Sequence, residues 1–168
     1  SIAGLIVFII LLVTLFKSFY QIETGTRGLV FTNGNLKSVA DEGLHFKMPF
    51  FQTIKKIDVT TQTTTADNLH SASKNMQEVT AGVTVNYHFD QSKLPQIYEQ
   101  TRFDVEAKII RPRVQEALKA ITAMYDAEQL IINRADVKLK LDNLLKSDLA
   151  KFHIIVDDVQ LVHFDFSP

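Results

Sequence analysis

VTAGVTVNYHFDQSKLPQIYEQ (residues 79–100) decides the fold class. Val79, Ala81, Val83, Val85, Tyr87 and Phe89 are apolar at every second position, the period of a strand with one buried face. From Ser92 the period becomes helical, and residues 94–100 predict a short helix. A chain that is strand-rich before such a switch and helical after it is α+β. The switch, at residues 90–92, is also the expected internal boundary.

Before the switch, residues 21–89 read as β. RGLVF (27–31) leads into Asn33-Gly34-Asn35, the turn chemistry of a hairpin, and then into residues 36–39. Glu42-Gly43 breaks the chain again ahead of LHFKMPFF, where Pro49 predicts an edge or a bend. Residues 53–65 are rich in threonine, with Ile54, Ile57 and Val59 interspersed, and the polar residues 67–75 predict a loop. Gly25-Thr26-Arg27-Gly28 precedes a strand rather than a helix, so it predicts a turn and not a phosphate cradle.

After the switch, Val105, Ile109, Val114, Leu118 and Ile121 mark a long helix that Pro112 bends or opens. Asp126 with Gln129, and Asn133 with Asp136, have capping-box spacing and predict helices from about 127 and over 134–151. In the latter, Val137, Leu141, Leu144, Leu145, Leu149 and Phe152 share a face. Residues 154–166 close the pattern as a strand, with Val162, Phe164 and Phe166 on one side and Asp157-Asp158 interrupting the apolar run.

At the start of the chain, SIAGLIVFIILLVTLF (1–16) carries no charge. Its apolar residues reach about 22 Å as a helix, against a hydrocarbon core of about 30 Å. The expectation is therefore a transmembrane anchor over residues 1–20 whose span begins upstream of Ser1. Lys17, Phe19 and Tyr20 serve in this reading as interfacial anchors. A cleaved signal peptide is the rival, but no basic flank or small-residue cleavage site accompanies the run.

Composition narrows the function classes. The chain has 18 basic and 19 acidic residues, a net charge of -1 and no cysteine. No basic stripe favours nucleic acid, and a disulfide framework or thiol nucleophile is excluded. His45, His70, His88, His153 and His163 have no metal-ligand spacing. Adjacent on a strand, Asp157 and Asp158 point to opposite faces and cannot act as an acid/base pair on one substrate. No catalytic site, cofactor site or metal site is expected. The cluster Phe46, Met48, Pro49, Phe50 and Phe51 has two readings: rings that dip into the headgroup layer beside Phe19 and Tyr20, or rings that fill the β core.

EGLHFKMPFFQ (42–52), SKNMQEVTAGVTVNYHF (73–89), LPQIYEQ (94–100), the helix over 109–125, AEQLIINRADV (127–137) and IIVDDVQLVHFDFSP (154–168) together resemble the prohibitin branch of the SPFH or Band 7 family. The related HflK/HflC and stomatin proteins carry a similar anchor. The resemblance implies a transmembrane helix followed by a β-rich SPFH subdomain over 21–91 and an α/β SPFH subdomain over 92–168, with a coiled coil beginning near Pro168. It also implies a scaffold rather than an enzyme. Copies, or copies with a homologous subunit, would form rings or cages that enclose membrane lipids and hold or regulate an AAA protease of the FtsH type. The implied location is the bacterial inner membrane with the domain on the periplasmic side, or alternatively the mitochondrial inner membrane. A stomatin-like regulator of a channel or transporter, and an anchored hydrolase or sensor domain, are the other readings. Membrane contact is assigned to Phe19, Tyr20, Met48, Phe50 and Phe51, and inter-subunit salt bridges to Lys138, Lys140, Asp142, Lys146 and Asp148 on the long helix.

Overall fold

The computed structural model describes residues 1–167, which form two compact units that divide between Thr60 and Thr61. The expected coiled-coil start at Pro168 lies outside the described residues.

The first unit opens with α1 (Ile2–Lys17), sixteen residues with none buried. Ser18 ends the helix by donating its N–H to the Leu15 carbonyl and its hydroxyl to the Thr14 carbonyl at 2.8 Å. At about 24 Å, α1 is shorter than a hydrocarbon core of about 30 Å. Among the described residues no helix is long and apolar enough to cross a membrane. Phe19 and Tyr20, which follow α1 directly after Ser18, lie in a strand: β1 (Phe19–Ile22) pairs antiparallel with β4 (Gly43–Phe46). A separate three-stranded sheet has β2 (Thr26–Thr32) between β3 (Asn35–Ala40) and β5 (Gln52–Asp58). Its hairpin turns at Asn33 and Gly34, both with positive φ (51° and 80°), as a primed turn requires. A small core cluster gathers Ile22, Val30 and Ala40, with Tyr20 and Ile54 packed against them, and Leu29, Ile57 and Val59 are buried as well.

The second unit is a three-stranded antiparallel sheet in the order β6 (Gln62–Ala72), β7 (Glu78–Phe89), β8 (Ile154–Phe166). Its helices are α2 (Leu94–Thr101), α3 (Arg111–Thr122), α4 (Ala127–Ile132) and α5 (Arg134–Ala150). α3 packs on β6 and on α5, and α5 packs on β8, giving two layers. The alternation of β7 is realised in full: Val79, Ala81, Val83, Val85, Tyr87 and Phe89 are all buried. Helix positions Val114, Leu118, Leu141, Leu145 and Leu149 are sealed beneath that sheet.

Four sequence expectations are corrected. The strand-to-helix switch at 90–92 is real, but it is not where the compact units part. β7 pairs along its whole length with β8, so residues on both sides of the switch share one sheet. The loop expected over 67–75 is mostly strand: β6 continues to Ala72 across an irregularity between Ala66 and Leu69, where Asn68 takes φ 54°. Asn133 makes no side-chain cap, because Asp136 turns instead to the Tyr125 hydroxyl and Lys140. Leu144 does not join the buried face of α5 but is 41% exposed. By contrast, Asp126 and Gln129 form the reciprocal capping box. Pro112 sits in the first turn of α3, where its missing N–H costs nothing, directly after a π-helical turn at Glu106–Ile110.

Candidate functional site

β1 and β4 form a two-stranded ribbon whose Tyr20 and Ile22 face packs on the core of this unit, while the other face, with Phe19, Leu44 and Phe46, has nothing over it. Phe19 packs edge-to-face on its cross-strand partner Phe46 at 5.7 Å, and Tyr20 stacks on His45 at 5.5 Å. His45 is anchored through Nε2 to the Asp41 carbonyl at 2.6 Å. This leaves Phe19, Phe46 and Leu44 facing outward.

The ribbon continues into a tight loop. Lys47 donates its N–H to the Ser18 carbonyl at 2.7 Å, which ties the loop to the end of α1. The Gln52 N–H bonds the Met48 carbonyl at 3.1 Å, and the Met48 N–H returns a bond to the Gln52 side chain at 2.9 Å. Asn33 in the neighbouring turn donates to the Phe51 carbonyl at 2.9 Å. Closed in this way, the loop places Phe50 at φ 71°, a left-handed conformation that costs a bulky L-residue about 1–2 kcal/mol. The ring so displayed is 91% exposed, with Met48 at 59% and Phe51 at 61%.

Of the two readings of this cluster, filling the β core is therefore not what the fold does. The loop brings Met48, Phe50 and Phe51 together on one strained tip, with Phe19 and Phe46 on the adjoining ribbon. Tyr20 stands apart from them: it is half-buried against the small core. Leu44, 70% exposed, belongs to the same surface and escaped sequence reasoning. Only its place on the uncovered face of the ribbon reveals it. A contiguous exposed apolar surface of this kind marks a contact with lipid or protein.

The charges on α5 expected to bridge subunits all have partners within the chain. Lys138 lies 3.8 Å from Asp158, Lys146 donates to Asp142 at 2.7 Å, and Lys140 pairs with Asp136 at 3.3 Å. Asp148 meets Arg113 at 3.6 Å and Lys151 at 3.3 Å. Asp142 and Asp148 are turned partly inward, whereas the three lysines stay outside. The Tyr125 hydroxyl donates to Asp136, which holds that carboxyl below its ordinary range, with Lys140 adding to the effect. Lys146 is raised, chiefly by its hydrogen bond to Asp142.

His88 contacts Asp157 at 2.9 Å, while Asp158 bonds Gln160, so the two adjacent acids do have separate partners. Among the described residues no three of His, Asp and Glu gather as a metal site would require.

The profile of the SPFH domain / Band 7 family matches residues 20–168. Among curated relatives, Prohibitin-2 of Colletotrichum higginsianum is 34% identical over 155 residues, covering 90% of this chain and 49% of that protein. Prohibitin-1 of Saccharomyces cerevisiae is 30% identical over 153 residues, with 90% and 53% covered. Prohibitin-7, mitochondrial, of Arabidopsis thaliana is 31% identical over 152 residues, with 89% and 54% covered. The chain thus spans about half the length of the curated relatives it matches. The match runs through both units, from the β1 ribbon to the last strand, and this protein belongs to the SPFH domain / Band 7 family, a family of scaffolds rather than enzymes.

Proposed function

We propose that this chain is the membrane-facing part of an oligomeric scaffold, seated in the bilayer by α1 and by the loop that carries Met48, Phe50 and Phe51. One observation carries the reading: a helix uncharged up to its last residue, Lys17, and a strained, aromatic loop tip stand side by side in one unit, tied together by the Lys47 to Ser18 hydrogen bond. Rings left in water at this level of exposure each gain about 1.5–3 kcal/mol when an apolar phase covers them. An aromatic loop at headgroup depth is such a phase boundary.

The sequence contains no tryptophan, so a Phe50→Trp variant gives a single reporter. On vesicles its emission is expected to shift to the blue and to be quenched by brominated acyl chains. Emission unchanged from that in detergent-free buffer, without quenching, would overturn the membrane placement.

In this proposal copies of the chain, alone or with a homologous subunit, assemble side by side into rings or cages that partition the membrane and hold or regulate an FtsH-type AAA protease. A heterologous contact repeated around a rotation closes into such a ring. The outer face of α5, with Lys138, Lys140 and Lys146 on it and Asp142 and Asp148 supporting it, is the proposed contact between copies. Each of these charges already has an intramolecular partner, so bridging requires an exchange of partners. The name of the Arabidopsis relative favours the mitochondrial inner membrane over the bacterial one as the location. Particles extracted in mild detergent and counted by electron microscopy are expected to hold many copies. Monomers or dimers would sink the scaffold, and an assembly size unaffected by Lys138→Glu with Lys140→Glu would remove α5 from the contact.

A further inference from the structure

The C-terminal half of α1 and the loop after β4 enclose a groove of about 500 Å³ within the first unit. Ile10 and Val13 form one wall, Pro49 and Phe50 the other, and Lys17 and Lys47 both line it. The main chain brings the two lysines to the same end. Lys47 is held against the Ser18 carbonyl, one step beyond the Phe19 to Phe46 pair, and Ser18 follows Lys17 directly.

This end is net positive. A helix C-terminus contributes about half a negative charge, which two ammonium groups outweigh. The acidic side chains of the ribbon region, Glu23, Asp41 and Glu42, lie at the opposite end of the β1/β4 ladder, and Asp41 is engaged by Arg27 at 3.4 Å. Glu42 and Lys47 are five residue steps apart along the strand, about 17 Å, roughly twice the screening length of physiological salt.

We infer that this groove holds one phospholipid with an anionic headgroup, its acyl chain against Ile10, Val13 and Phe50 and its phosphate between Lys17 and Lys47. Charge complementarity selects this occupant: an apolar trough closed by two cations fits an amphiphile with one negative end, whereas a neutral lipid or an apolar helix leaves both ammonium groups unanswered. The inference rests on the membrane reading above and adds to it a choice among lipids.

The test offers the detergent-purified chain an equal mixture of phosphatidylcholine and phosphatidylglycerol and counts retained lipid by native mass spectrometry. Wild type is expected to retain one phosphatidylglycerol, favoured roughly thirty-fold at about fivefold per lysine. Lys17→Gln with Lys47→Gln is expected to bring that preference close to unity. Lys37→Gln with Lys56→Gln, which removes the same charge elsewhere in the unit, is expected to leave it unchanged. Equal loss in both variants would show surface electrostatics without a site and would overturn the inference. Flotation of wild type on phosphatidylcholine vesicles separates the two levels: a chain that floats but retains no lipid overturns the groove alone, and a chain that does not float overturns the membrane reading with it.

Discussion

The two units cover the apolar faces of their strands differently. In the second, Leu118, Leu141, Leu145 and Leu149 are completely buried between helices and sheet, and the charges outside pair with one another. In the first, Leu44, Phe46, Met48, Phe50 and Phe51 face outward from a core of a few residues. A similar residue chemistry thus has two destinations. The second unit covers one face of its sheet itself, although Met76, Met124, Ile131, Ile132 and Leu139 remain exposed. The first carries apolar surface that water does not favour, on a loop whose own hydrogen bonds hold it there. What separates the two is the covering of the exposed face: α3 and α5 cover one face of β6–β7–β8, while the Phe19, Leu44 and Phe46 face of β1–β4 has nothing over it.

The contrast can be broken by removing what each unit depends on. Leu141→Ala in the second unit is expected to cost about 2–5 kcal/mol, because a fully buried side chain leaves a cavity, and denaturant unfolding would measure it. Gly28→Ala in the first unit is expected to cost about 1–3 kcal/mol. A methyl at Gly28 would stand 2.5 Å from Ile22 Cδ1 and 3.2 Å from Ile54 Cγ2, forcing the small core apart, and a lowered melting temperature would report it. Phe50→Ser should leave unfolding within about 0.5 kcal/mol of wild type, since nothing folded covers the ring. A large loss of stability there would mean that the ring is part of a core after all.

The smallest effect concerns acid. The Asp136 carboxyl is held low by the Tyr125 hydroxyl and then by Lys140. Its contribution is present above the unfolded carboxylate range and is lost as pH falls through the depressed native value. Asp136→Asn should therefore lower stability slightly in the neutral region and leave it unchanged at the acid end, so that the acid limb of a stability–pH profile is flattened. An unaltered acid limb would remove the Tyr125–Asp136 contact from the second unit's stability.

What could be read from sequence was whatever one element determines by itself. The alternation of β7, the apolar stripe of α5 and the Asp126–Gln129 box depend on spacing along a few turns or a single strand. The pairing of β1 with β4 does not: Phe19 and Phe46 meet across the chain, and beside an apolar helix Phe19 and Tyr20 look like a flank. The division at Thr60 and Thr61 was hidden in a run of threonines that suits either side of it. For the loop at 47–51, residue type suggested an interface, but whether the rings lie inside or outside depends on a covering layer that no local pattern records. Asn133 and Asp136 show the converse: the right spacing failed because Tyr125 and Lys140 offered Asp136 a better partner.

The central place of β7 has a consequence for how the protein is made. Its partner β8 follows some 65–90 residues later in the chain, which makes this a high-contact-order pairing. At synthesis rates of about 5–20 residues per second, β7 waits several seconds to more than ten seconds on the ribosome with one edge unpaired. During that interval the nascent chain displays an adhesive strand together with an apolar helix that has already emerged. Elongation speed through α3 to α5, and chaperone access over that window, thereby become determinants of yield.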